Sequence, residues 1–154
     1  KGFAPKNIKD FKIYPKAKND VKKLKNRGYK IFVITNQPDI SKKLLKKKDL
    51  NSMHKLIKNK LKVDKILYCP HNKNEKCNCR KPKIGMIKKA IKGLKIQLNK
   101  SYMIGDRLSD IKTGVKAGCK TIFINRNYSE PKPIQQDKTV KSLNEAVRYI
   151  LKTN

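Results

Sequence analysis

The sequence predicts an α/β fold, a doubly wound parallel sheet with helices on both faces, and three observations predict it. Apolar residues gather into short dense runs such as Ile31-Phe32-Val33-Ile34. Between those runs, apolar residues recur at helical spacing. Short apolar strands alternating with amphipathic helices imply right-handed parallel crossovers whose helices cover both faces of the sheet. A length of 154 residues suits one domain and is enough to bury a real core.

Pro15 can open the first helix, Ala17, Val21 and Leu24 share its apolar face, and Gly28 suits its C-terminal stop. Residues 30–35 read as a buried strand. Asp49 is the expected cap of a second helix with Leu50, Met53, Ile57 and Leu61 in one stripe, and a short strand follows at 66–68. After Pro82 a third helix carries Met86, Ile87, Ala90, Ile91 and Leu94. The next strand, 101–104, runs into Gly105-Asp106, and a helix through Leu108, Ile111 and Val115 ends at Gly118. Residues 121–124 make another strand and 127–137 a loop containing prolines. The last helix covers 142–151, with Leu143, Ala146, Val147 and Ile150 inward. With no internal repeat and no dividing linker, a single domain over 1–154 is expected.

Charge narrows the function classes. The chain has 41 Lys+Arg against 11 Asp+Glu, a formal net charge of +30. Only five of these cations are Arg (Arg27, Arg80, Arg107, Arg126 and Arg148), and Lys is spread over nearly every segment. Base and phosphate readout draws on the planar fork of Arg, so a solvated lysine surface is expected, with no specific nucleic-acid partner. No apolar stretch approaches the roughly 18 residues of a membrane span, and the first residues lack the apolar core of a signal peptide. A cytoplasmic monomer without a membrane partner is the expectation.

Ligands of such sheets sit beyond the carboxyl ends of the strands, so polar residues there are the candidates. The loop 69–79 holds Cys69, His71, Cys77 and Cys79. Three thiolates and one imidazole close a tetrahedral shell and suit structural Zn²⁺, the bland alternative being a set of exposed reduced thiols. His54 reads as a helix-surface or satisfied histidine, and Cys119 as a buried small hydrophobe. Asp106 follows an apolar strand, where a carboxylate suits Mg²⁺. Asp110 can share that role, cap its helix or pair with a cation. Thr35 and Asn36 can hydrogen-bond phosphate oxygens or simply cap a turn, and Arg80 and Lys81 can meet anionic groups.

Taken together, Val33-Ile34-Thr35-Asn36-Gln37, Tyr68-Cys69-Pro70-His71, Cys77-Asn78-Cys79-Arg80-Lys81-Pro82, Gly85-Met86 and Tyr102-Met103-Ile104-Gly105-Asp106-Arg107 with Asp110 resemble the haloacid dehalogenase superfamily of phosphatases, in its zinc-loop group. The resemblance extends from about Gly2 to the last strand. It implies a Rossmann-like sheet and a phosphomonoester hydrolase that uses Mg²⁺ and an aspartyl-phosphate intermediate. The implied substrate is a heptose 1,7-bisphosphate, cleaved at the 7-phosphate, with histidinol phosphate as the alternative. Gly2-Phe3, the segment 10–15 and Gly85-Met86 favour the heptose.

By the same resemblance Thr35 and Lys81 are catalytic and hold the phosphoryl group, while Asn36, Arg80 and Arg107 meet the substrate. Asp106 would bind Mg²⁺, and Cys69, His71, Cys77 and Cys79 would bind structural Zn²⁺. The family's Asp-x-Asp-Gly-Thr motif, carried by its first strand, does not occur in these 154 residues, whose only early acids are Asp10 and Asp20. The chain is therefore expected to be an N-terminally truncated phosphatase, inactive alone. The reading of another class is a non-catalytic binding or scaffold domain, which the retained Thr35, Lys81 and Asp106 oppose.

Overall fold

In a computed structural model, which describes residues 4–153, the apolar runs become strands and the periodic stretches become helices. In chain order these are α1 (Ala17–Asn26), β1 (Phe32–Asn36), α2 (Lys47–Leu61), β2 (Lys65–Cys69), α3 (Gly85–Ile91), a 3-10 turn (Leu98–Lys100), β3 (Tyr102–Gly105), α4 (Leu108–Ala117), β4 (Lys120–Ile124), β5 (Lys138–Val140) and α5 (Leu143–Lys152). Every strand pair among the described residues is parallel, as the α/β expectation requires. The chain divides after Arg80 into two compact units. The described strands form one ladder in each, β1-β2 and β3-β4-β5. Gly2 and Phe3 lie outside the described residues. No helix among the described residues is long and apolar enough to cross a membrane.

In the first unit, α1 buries Ala17, Val21 and Leu24, the face its spacing predicts. Fully burying a Val or Leu contributes about 1.5–3 kcal/mol, which outweighs the missing side-chain cap at Lys16. The helix stops because Gly28 takes a left-handed conformation, φ +80°, that costs glycine little. The Tyr29 and Gly28 N–H groups then donate back to the carbonyls of Leu24 and Lys25. Asp64 pins the start of the ladder: its carboxylate accepts from the Ile31 N–H at 2.7 Å and from Lys25 Nζ at 3.2 Å. Burial pushes that carboxyl upward, but these donors outweigh it and hold Asp64 below the usual carboxylate range. From α2, Leu50 and Met53 pack with Leu45, Phe11, Ile40 and Tyr68. The residue flanking α2 is Lys46 rather than Asp49, which lies inside the first turn, where a carboxylate still complements the helix dipole.

In the second unit, α3 is shorter than its apolar pattern. Lys92 leaves helical geometry and Gly93 sits at φ +76°, so Leu94 falls outside the helix and is exposed. On α4, Ile111, Thr113 and Gly114 are buried, whereas Val115 is exposed. A Cβ at Gly114 would press into Met103 and Thr121, so glycine is what lets α4 lie close on β3 and β4. Cys119 is partly rather than fully buried, and burial raises its thiol pKa. The alternation rule passes over β5, which has only three residues. Asp137 creates it, accepting from the Thr121 N–H at 2.6 Å and the Thr121 hydroxyl at 2.8 Å and so laying the chain along β4. Ser142 caps α5 by accepting from the Glu145 N–H, and Ala146, Val147 and Ile150 are buried.

Candidate functional site

Parallel pairing puts the carboxyl ends of neighbouring strands at one edge. In the first unit the register sets Thr35 beside Tyr68 and Asn36 beside Cys69. The Gln37 N–H extends the ladder one step by donating to the Cys69 carbonyl at 2.7 Å, and Gln37 Nε2 donates to Thr35 Oγ1 at 3.2 Å. Thr35 and Asn36 thus stand at the edge from which the cysteine loop departs.

That loop closes on itself. Cys69 Sγ lies 3.4 Å from His71 Nδ1 and 3.9 Å from Cys77 Sγ, and His71 Nδ1 lies 3.3 Å from Cys79 Sγ. All four donor atoms lie within 4.8 Å of one another. A tetrahedral zinc site with Zn–S of about 2.3 Å and Zn–N of about 2.0 Å has S···S edges of about 3.8 Å and S···N edges of about 3.5 Å. The donors therefore fit that ion in both chemistry and spacing, and no disulfide competes, since all four cysteines are free. Burial, followed by the neighbouring Cys79 sulfur, pushes the Cys69 thiol up to about 12. At Cys77 desolvation also works upward, but hydrogen bonds from the Arg80 and Cys79 backbones outweigh it and the pKa is lowered. A cation at the centre would reverse the crowding, because thiolates that repel one another are held by its charge. Two bonds shape the loop: the Asn72 N–H donates to Glu75 Oε2 at 2.8 Å, and Arg80 Nη1 donates to the His71 carbonyl at 2.9 Å. The latter fixes the Arg80 guanidinium to the loop. His54 lies apart on α2, its ring 5.6 Å from that of Tyr68, with burial lowering its pKa.

In the second unit Lys81 and Asp110 form a buried ion pair, Nζ to Oδ1 2.6 Å, with side chains 11% and 6% exposed. Asp110 Oδ2 also accepts from the Arg107 N–H at 3.1 Å. Of the roles its spacing left open, the structure shows Asp110 pairing with a cation and supporting the start of α4. Gly105 makes this possible, because a Cβ there would overlap the Asp110 side chain. Asp106 stands at the end of β3 and accepts from the Tyr128 hydroxyl at 3.0 Å. Arg107 pairs with Glu130, and its guanidinium lies 4.2 Å from the centre of the Tyr128 ring. Asp106, Arg107, Phe123, Asn125, Tyr128 and Glu130 line a recess of about 10 Å³. One carboxylate at a strand end fits Mg²⁺, which takes one or two carboxylates and completes its octahedron with waters and substrate phosphate.

Tyr128 and Glu130 escaped the sequence reading. The available signal was an aromatic and an acid two residues apart in a loop leaving a strand end, which is weak until pairing of β3 with β4 brings that loop to Asp106.

Known proteins resemble this chain in sequence and in fold. The family described as HAD-hydrolase-like matches residues 78–146. The D-glycero-beta-D-manno-heptose-1,7-bisphosphate 7-phosphatase of Haemophilus ducreyi is 34% identical over 131 residues, covering 77% of this chain and 72% of that protein. The histidine biosynthesis bifunctional protein HisB of Baumannia cicadellinicola is 31% identical over 130 residues, 81% of this chain but 36% of its own length. Among solved structures, the D,D-heptose 1,7-bisphosphate phosphatase of B. bronchiseptica, crystallised with magnesium and phosphate, superposes with a TM-score of 0.86. It covers 97% of this chain and 89% of that one at 21% identity, a likeness of fold.

Proposed function

The chain belongs to the haloacid dehalogenase-like hydrolases, in the group of the heptose-1,7-bisphosphate 7-phosphatases and HisB, and from that premise we propose that it serves a phosphatase that removes the 7-phosphate of a heptose 1,7-bisphosphate. The observation that carries the reading is the long stretch over which the chain follows such a phosphatase. Residues 1–154 are taken as one domain of that family, with the zinc loop at 69–79.

Thr35 and Lys81 are assigned to the oxygens of the transferring phosphoryl group. Lys81 is suited to this because Asp110 sets the position of its ammonium. Asn36, next to Thr35 at the end of β1, is assigned to the substrate phosphate as well, and Arg80 and Arg107 to the remaining anionic groups of the sugar phosphate. Asp106 would hold Mg²⁺, which when bound offsets charge growing on the phosphoryl oxygens. In the chemistry that belongs to the family, an Asp carboxylate attacks phosphorus, the sugar alkoxide leaves with a proton from a second Asp, and water then hydrolyses the aspartyl-phosphate. The closed Cys3His shell suits structural Zn²⁺, leaving no position for substrate.

The 154-residue polypeptide itself carries no Asp-x-Asp, and it is assigned negligible turnover. The test compares phosphate release from heptose 1,7-bisphosphate and from histidinol phosphate, with Mg²⁺. One sample is these 154 residues, the other the same residues joined to an Asp-x-Asp strand ahead of Lys1. Activity only in the second, with preference for the heptose, is expected. Ordinary turnover by the first would remove the inactivity assignment, and a strong preference for histidinol phosphate would replace the substrate.

A further inference from the structure

The loop that leaves β4 places one side chain against two consecutive residues at the end of β3. The Tyr128 hydroxyl donates to Asp106 Oδ2 at 3.0 Å, and the Tyr128 ring stacks on the Arg107 guanidinium. Two residues further on, Glu130 engages Arg107 Nη1. Tyr128 is only partly buried, so its ring adds less to the core than a fully buried aromatic would.

Resting on the reading above, we propose that Tyr128 is a positioning residue that couples the cation-holding carboxylate to the substrate-meeting guanidinium. Its hydroxyl orients Asp106 for Mg²⁺, and its ring holds Arg107 for an anionic group of the substrate. A donor on one carboxylate oxygen restrains rotation of the whole group, so the second oxygen keeps its direction toward a cation; this is how partners beyond the ligands tune metal affinity. A guanidinium held by a ring face and one carboxylate keeps most of its five donors for a phosphate, with its plane already set. The coupling is economical in sequence terms, because Asp106 and Arg107 are adjacent and one residue reaches both.

The two contacts can be separated. The experiment uses the Asp-x-Asp-bearing form, with Mg²⁺ affinity from titration calorimetry and KM from phosphate release at saturating Mg²⁺. Tyr128→Phe keeps the ring and loses the hydroxyl, so the Mg²⁺ Kd is expected to rise about tenfold, while substrate KM stays within about twofold. Tyr128→Leu loses both contacts and is expected to raise the Mg²⁺ Kd and the KM each by about tenfold. Glu130→Gln is expected to leave the Mg²⁺ Kd at the wild-type value. An unchanged Mg²⁺ Kd in Tyr128→Phe, or the same KM in the Phe and Leu variants, would overturn the proposal. So would a Mg²⁺ shift in Glu130→Gln as large as that in Tyr128→Phe, which would mark a general loop disturbance. If the wild type shows no Mg²⁺-dependent release from the heptose bisphosphate, the functional reading fails by itself, and calorimetry still decides whether the hydroxyl orients Asp106.

Discussion

The cysteine loop and the β3 recess are both clusters at strand ends, built in opposite ways. The loop takes all four donors from residues 69–79, so a short length of chain brings them within 4.8 Å. The recess joins Asp106 and Arg107 to Tyr128 and Glu130, and the neighbouring ion pair joins Lys81 to Asp110, across separations of 21 to 29 residues that only strand pairing and helix packing close. A local cluster can be organised by an ion with little help from the rest of the fold. A long-range cluster depends on the packing beneath it, and its substitutions should report on that packing.

The contrast is broken most strongly by removing the ion. Freshly purified reduced protein is expected to contain one zinc per chain by elemental analysis, and Cys69→Ser to contain none. Loss of binding energy of about 10 kcal/mol at neutral pH should then disorder the loop amides in exchange measurements. Zinc near zero in the unmodified protein would remove the assignment.

The next effect belongs to the second unit. Lys81→Met leaves Asp110 buried without its cation and is expected to cost about 3–5 kcal/mol in denaturant unfolding. Adding Asp110→Asn should recover much of that stability but, in the Asp-x-Asp-bearing form, no activity. Additive losses would show that the pair is not coupled.

A smaller change sharpens the packing side of the comparison. Gly105→Ala drives a methyl group into the Asp110 side chain and should cost about 1–3 kcal/mol, with Lys81 displaced and turnover of the Asp-x-Asp-bearing form reduced. Wild-type stability would contradict the close approach.

The smallest effect concerns pH. Hydrogen bonds from the Thr121 backbone and side chain depress the Asp137 pKa below its ordinary value of 3.8. A depressed carboxylate stabilises fully above the unfolded-state value and loses that contribution as pH falls through the folded one. Asp137→Asn should therefore lower stability at neutral pH by about 1 kcal/mol and flatten the acid side of the stability curve. An unchanged acid limb would rule out the linkage.

How far the molecule was legible follows the same division. The inner face of α1 was readable because a regular helix repeats every 3.6 residues whatever it packs on. Periodicity overran α3 at Leu94, since a left-handed glycine outranks an apolar pattern. Val115, at helical spacing from Leu108 and Ile111, is exposed, because close contact through Gly114 turns the buried stripe toward Ile111, Thr113 and Gly114. β5 was invisible in Lys138-Thr139-Val140, being a strand only by virtue of its pairing with β4.

By itself the sequence determined the alternation of strands and helices, the polar tips at strand ends and the Cys3His donor set, because each rests on residue types at short spacing. Tertiary structure alone decided that the parallel strands pair in two ladders, that Asp110 serves Lys81 and the start of α4, and that Tyr128 and Glu130 reach Asp106 and Arg107. Those outcomes depend on which distant segments share a ladder or a helix contact, and local chemistry carries no record of that choice.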